Sequence, residues 1–120
     1  MKTKAFSAVL VSLLLFSCTT TMNIGVEPAN PAPNAPPTPP GSEIRVLQSR
    51  ETLPEGAILV ARLKLRDTGL TVDCGFQAVV ARAKEKAREL GGKLLRLVRV
   101  YPPGWSTCYE LDAEVYALPE

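Results

Sequence analysis

Residues 58–66 decide the fold, and they read Ile-Leu-Val-Ala-Arg-Leu-Lys-Leu-Arg. The stretch begins as an apolar run and then alternates between apolar and cationic side chains. A period of two residues is typical of a β-strand that buries one face. We expect the buried face to carry Leu59, Ala61, Leu63 and Leu65, and the solvent face to carry Arg62, Lys64 and Arg66. The stretch therefore predicts a strand with a positively charged outer face.

The last part of the chain alternates in the same way but carries the opposite charge. In residues 107–118 one face holds Tyr109, Leu111, Ala113, Val115 and Ala117, and the other holds Cys108, Glu110, Asp112, Glu114 and Tyr116. Opposite charges on neighbouring strands stabilise a sheet, whereas like charges repel. The two stretches are therefore predicted to be antiparallel neighbours.

A helix is predicted between these two strands, over residues 75–90. Its apolar stripe has helical spacing and consists of Phe76, Val79, Val80, Ala83, Ala87 and Leu90. Asp73 is the predicted N-cap, and Gly91-Gly92 supplies the C-terminal stop. Residues 93–101 are rich in Leu and Val and predict a further strand, parallel to 58–66 and reached through a right-handed helical crossover.

Together these elements predict an α+β fold. The sheet has three to four strands, as a split β-α-β unit plus a hairpin, and one helix is packed on one face. The strand at 107–118 lies between those at 58–66 and 93–101, and residues 44–47 form a short additional strand. The predicted domain, residues 43–120, has about 80 residues and is close to the lower limit of independent stability.

Two cysteines lie near the ends of these elements, Cys74 before the helix and Cys108 at the start of the last strand. In an exported protein such a pair most often forms a disulfide, here stabilising by roughly 3–4 kcal/mol. By simple alternation, however, Cys108 lies on the charged face, away from the helix. The pairing then requires a bulge near residues 105–107, or Cys74 reaching round the end of the sheet. The alternative is that Cys74 is a reactive thiol at the helix N-terminus.

Residues 1–17 have the pattern of an export signal. Lys2 and Lys4 precede an apolar run of about a dozen residues, too short to cross a bilayer. The run ends at Leu15-Phe16-Ser17-Cys18, which resembles the lipobox of bacterial lipoproteins. The resemblance implies cleavage before Cys18, its lipidation, and attachment to a membrane through the acyl chains. Thr19 in place of Asp favours the outer membrane, so we expect a domain held at the cell envelope, facing the periplasm or the surface.

Residues 18–42 contain seven of the 11 prolines and show no period of two or 3.6 residues. We expect a disordered tether with polyproline II character that could hold the domain up to about 70 Å from the lipid. The alternative is that this proline-rich segment docks onto a partner.

Several chemistries are missing from the sequence. There is no His, and no glycine-rich phosphate loop of the Walker or dinucleotide type. Lys2 and Lys4 are two of the 14 cations, which leaves 12 cations against 12 anions from Cys18 onward and argues against nucleic-acid binding. We therefore predict no enzyme, no cofactor and no metal. Trp105 and Tyr109 are the candidate partner contacts, although Trp105 could instead cap the core.

The order of these features resembles the RcsF-like stress-sensor lipoproteins of the bacterial outer membrane, and a wider group of envelope lipoproteins with a Ser-Thr-Cys-Tyr motif, here Ser106-Thr107-Cys108-Tyr109. The resemblance implies a disulfide between Cys74 and Cys108. The sensors have a second disulfide, for which this chain lacks cysteines. The anchor, the reach of the linker and the missing catalytic groups together predict a non-catalytic binding or sensing domain with an envelope protein partner. The alternatives are a thiol-redox protein that uses Cys74, and a passive structural lipoprotein.

Overall fold

The computed structural model describes residues 22–69, 71 and 73–119; the predicted signal peptide and Cys18 lie outside these residues. The described chain is α+β, with one helix and a five-stranded mixed sheet. Its elements are β1 (Asn23–Pro28), β2 (Arg45–Gln48), β3 (Ile58–Arg66), α1 (Phe76–Glu89), β4 (Leu94–Tyr101) and β5 (Glu110–Ala117). The strand order is β1-β3-β5-β4-β2.

The position of β5 between β3 and β4 confirms the prediction from charge. β5 is antiparallel to both neighbours, so β3 and β4 are parallel and are joined through α1. Arg62 lies opposite Glu114, and Lys64 lies opposite Asp112. The cations of one strand therefore face the anions of the next across the outer surface of the sheet. β2 adds to β4 in parallel, as the second edge strand.

The prediction of a disordered tether is wrong for Asn23–Pro28. These residues form β1, which pairs antiparallel with β3 and gives the sheet its fifth strand. The segment is short and mostly exposed, and it ends at a proline, so its side chains give almost no strand pattern. What makes it a strand is the free edge of β3, because unpaired backbone groups at a sheet edge accept a further strand.

The following segment, residues 29–42, crosses from β1 at one edge of the sheet to β2 at the other, and we call it the proline strap. The amide of Thr38 donates to the carbonyl of Arg88 at 2.8 Å, and its hydroxyl donates to the carbonyl of Gly92 at 2.8 Å. Arg88 in turn donates from Nε to the carbonyl of Ser42 at 2.7 Å. The Arg88 carbonyl also accepts from the Gly91 amide at 3.1 Å, so the strap adds a second donor to this carbonyl at the end of the helix and supplies one to the Gly92 carbonyl beyond it.

The core lies between α1 and the sheet. The helix buries Val79, Val80, Ala83 and Ala87, as the stripe predicted. The predictions of the two helix ends differ in accuracy. The glycine stop at the C-terminal end is confirmed, with Gly91 at φ +81°, but the predicted N-cap is wrong. Gly75 occupies the N-cap position and makes no side-chain cap hydrogen bond. An N-cap at Asp73 would require the helix to begin at residue 74, whereas it begins two residues later, at Phe76.

A bulge between Leu59 and Ala61 changes the predicted face of one residue. Leu59 does not join the helix-side core. It lies opposite Tyr116 on the outer face, where a second small cluster forms around Leu47 and Leu94. Residues of the 49–57 loop and the chain end, Leu53, Ala57 and Leu118, pack against this cluster. The end of the sheet where β3 begins is therefore apolar on both faces.

Candidate binding site at the disulfide-bonded loop

Two connections meet at the end of the sheet where β3 and β4 finish and β5 begins. One is the loop from β3 to α1, and the other is the turn from β4 to β5. We call this the loop end of the molecule, and we call residues 102–108 the tryptophan loop. Both Cys74 and Cys108 lie here, as do Trp105 and Tyr109.

Cys74 and Cys108 form a disulfide that links the two connections, with Cα atoms 5.0 Å apart. The predicted pairing is confirmed, but the predicted position of Cys108 on the charged face is wrong. The strand begins only at Glu110, so the alternation does not extend to Cys108, which is buried in the helix-side core with 1 % exposure. Neither sulfur carries a thiolate in this state. Thiol chemistry at Cys74 would therefore require reduction first.

Hydrogen bonds hold the tryptophan loop against the β3–α1 connection. The Ser106 hydroxyl donates to Asp67 Oδ2 at 2.8 Å, and the Gly69 amide donates to Asp67 Oδ1 at 2.9 Å. The hydrogen bonds from Ser106 and Gly69 lower the pKa of Asp67, because both favour the ionised carboxylate. The Cys108 amide donates to Ser106 Oγ at 3.1 Å, and the Tyr109 amide donates to the carbonyl of Cys74 at 3.1 Å. The loop is thus fixed at its base.

Trp105 stands at the tip of this loop and is fully exposed, with a relative exposure of 108 %. The alternative that it caps the core is wrong. Pro102, Pro103 and Gly104 beside it are exposed as well. Tyr109 is half-buried, and its ring meets that of Phe76 edge-on at 5.7 Å between centroids. Of the two predicted contact residues, Trp105 is therefore exposed to solvent, and Tyr109 packs against Phe76 at the base of the loop.

The sequence did not single out Asp67 or Ser106. A signal existed for each, since Asp67-Thr68-Gly69 is typical of a turn in which the aspartate accepts backbone hydrogen bonds. Ser106 belongs to the Ser-Thr-Cys-Tyr motif. Their contact joins positions 39 apart, which no local pattern indicates.

The outer face of the sheet next to the loop end is a paired array of charges. Arg66 contacts Asp112 Oδ1 at 2.6 Å, and the Tyr101 hydroxyl donates to Asp112 Oδ2 at 2.8 Å. Burial alone would raise the pKa of Asp112, but the hydrogen bonds from Arg66 and Tyr101 outweigh it and lower that pKa. Arg96 contacts Glu114 at 2.7 Å. These ion pairs lie on the face of β5 that was predicted to carry the charges.

A shallow cavity of about 340 Å³ lies between the proline strap and α1, with Pro37, Thr38 and Arg88 in its wall. It is at the opposite end of the sheet from Trp105.

Within residues 22–69, 71 and 73–119, no cluster of three His, Cys, Asp or Glu side chains could hold a metal ion. The helix in this part of the chain is neither long nor apolar enough to cross a membrane. Comparisons with protein families, curated proteins and solved structures find no match for this chain.

Proposed function

We propose that this chain is a membrane-anchored bacterial lipoprotein whose domain is a non-catalytic binding or sensing module that contacts another component of the cell envelope through the tryptophan loop. The observation that carries the proposal is the full exposure of Trp105 on a loop that is fixed at its base. Tryptophan is enriched among residues that dominate binding energy. A loop held by a disulfide also loses little conformational entropy on binding.

The anchor in this proposal is Cys18, after cleavage of residues 1–17. It rests on the lipobox Leu15-Phe16-Ser17-Cys18 and on the short apolar run before it. Thr19 favours the outer membrane as the site, with the domain facing the periplasm or the surface. The resemblance to the RcsF-like sensors supports contact with an envelope component and leaves its identity open.

The proline strap limits where the domain can act. Residues 29–42 are hydrogen-bonded along the domain and do not extend away from it. The length of chain available for reach is therefore the few residues between Cys18 and β1. The domain works close to its anchor.

In-cell photo-cross-linking tests the proposal. A photoreactive phenylalanine analogue replaces Trp105 in one variant and Ile58 in a matched control. Ile58 is also exposed (55 %), but it begins β3 and lies at the opposite end of the sheet. We expect light-dependent adducts, to protein or to lipid, from position 105 and few from position 58. Equal or absent labelling at the two positions would contradict the proposal.

A further inference from the structure

The pairing of β1 fixes the side from which the N-terminal segment reaches the domain. Asn23, the first residue of β1, lies opposite Arg66, the last residue of β3, and Pro28 lies opposite Ala61. β1 therefore starts at the loop end and runs away from it. The tryptophan loop lies at this same end, because Tyr101 and Glu110, which flank it, are paired there.

Covalent geometry then limits the distance between the anchor and this end. Cys18 precedes Asn23 by five residues. Even a fully extended chain of that length spans only about 17 Å. A single strand, β3, separates β1 from β5, which places the two about 10 Å apart across the sheet. If Cys18 is lipidated, as the proposed function holds, the loop end lies beside the membrane surface.

The tryptophan loop has the chemistry of a segment that meets a lipid interface. Residues 102–109 contain no charged side chain, and Trp105 projects fully from them. Tryptophan is enriched at the level of lipid headgroups, where its apolar ring and its N–H are both satisfied. An ionised group would oppose such insertion. The base of the loop carries the carboxyl groups of Asp67, which is bound to Ser106, and of Glu110, which accepts a hydrogen bond from the Asp67 amide. The tip can therefore enter the interface while the base stays in water.

We infer that the envelope component met by the tryptophan loop is the lipid surface of the membrane that holds the anchor. Trp105 enters the headgroup region and acts as a second attachment point beside the acyl chains of Cys18. Two points of attachment orient the domain, so that the loop end faces the lipid and the strap end faces away. This inference rests on the proposed function and names the partner of the same site.

Trp105 is the only tryptophan of the chain, so its own fluorescence tests the inference. The mature lipidated protein is reconstituted in vesicles of phosphatidylethanolamine and phosphatidylglycerol, with and without brominated acyl chains. We expect a shift of the emission to shorter wavelength, and quenching by the brominated lipid at least about twofold stronger than in the control. The control carries Trp105→Phe with Ile58→Trp, which moves the fluorophore about 26 Å along β3 to the opposite end of the sheet.

The outcomes separate this inference from the proposed function. Strong quenching at position 105 and weak quenching at position 58 support lipid contact. Equal quenching at both positions, or an emission at position 105 that stays typical of water, overturns it. If that result is accompanied by protein adducts from position 105 in cells, the partner is a protein and the proposed function stands. If no adduct forms either, both proposals are wrong.

Discussion

At the scale of single residues, the sequence was most informative where covalent chemistry narrows the choices. Cys74 and Cys108 could be paired because two cysteines near the ends of packed elements most often form a disulfide if a protein is exported. The exposure of Trp105 could not be predicted, since a tryptophan beside two prolines is compatible with capping the core or with standing clear of it. The Asp67–Ser106 contact depends on the fold as a whole.

Loss of the disulfide is the first prediction at this scale. The cysteines are 34 positions apart, and in the chain-entropy model such a link stabilises by roughly 3–4 kcal/mol. We expect a Cys74→Ala, Cys108→Ala variant to lose about that much free energy of unfolding, measured by urea denaturation. The matched control is the wild type in reductant, which should lose a similar amount of free energy of unfolding.

In intact cells, a mass-tagging alkylator should reach both cysteines only after reduction. Rapid labelling of Cys74 before reduction would favour the thiol-redox alternative.

The lowered pKa of Asp112 gives a prediction for acid stability. A carboxyl group whose pKa is lower in the folded state than in the unfolded state stabilises the fold at neutral pH. That contribution disappears as the pH falls through the folded value. We expect Asp112→Asn to cost about 1 kcal/mol at neutral pH, because the ion pair with Arg66 is partly exposed, and to lose less stability than the wild type on acidification to about pH 2. Asp73→Asn makes the same chemical change at an exposed site. Parallel acid curves for the wild type and Asp112→Asn would show that this ion pair contributes nothing.

At the scale of elements, the strength of the periodic pattern separates the accurate predictions from the missed ones. β3, α1 and β5 each bury one face, so burial imposes a period on their sequences. β1 is an exposed edge strand, and its place depends on the edge of β3 and not on its own side chains. The strap has no period because prolines and backbone hydrogen bonds hold it, and neither leaves an apolar stripe.

Gly91 tests the contact between the strap and α1. Its φ of +81° disfavours any other residue, and a Cβ placed there would lie 2.6 Å from the Pro36 carbonyl oxygen and 2.8 Å from the Ala35 Cβ. We expect Gly91→Ala to destabilise by about 1–3 kcal/mol and to make residues 29–42 more sensitive to proteolysis. Gly41→Ala is the matched control, since Gly41 has φ +82° but nothing within 4 Å of a Cβ. If both variants lose the same stability and the strap stays protected, only backbone strain is involved.

At the scale of the whole molecule, β1 and the strap change what counts as the domain. The sequence placed its start at residue 43, whereas the described fold begins at Met22, which is buried with 3 % exposure. β1 covers one edge of β3, and the amide of Ala29 continues this pairing to the carbonyl of Val60 at 2.9 Å. A segment that looks like a spacer by composition therefore becomes part of the fold. If Cys18 carries the proposed lipid anchor, this segment also determines which end of the fold lies nearest to it.

Truncation separates the contributions of β1 and the strap. We compare fragments 22–120, 29–120 and 43–120 by urea denaturation. Removal of residues 22–28 takes away the buried Met22 and a row of strand hydrogen bonds, so fragment 29–120 should lose about 2–4 kcal/mol. Fragment 43–120 should lose more, because the Gly92 carbonyl loses the Thr38 hydroxyl and the Arg88 carbonyl keeps only the Gly91 amide of its two donors. A Met22→Ala variant of the longest fragment shows how much of the first loss is side-chain burial.

If all three fragments unfold at the same urea concentration, residues 22–42 contribute nothing to stability, and the tether predicted from composition is the better description. In that case the anchor would no longer hold the loop end beside the membrane, and contact between Trp105 and lipid would lose its structural basis.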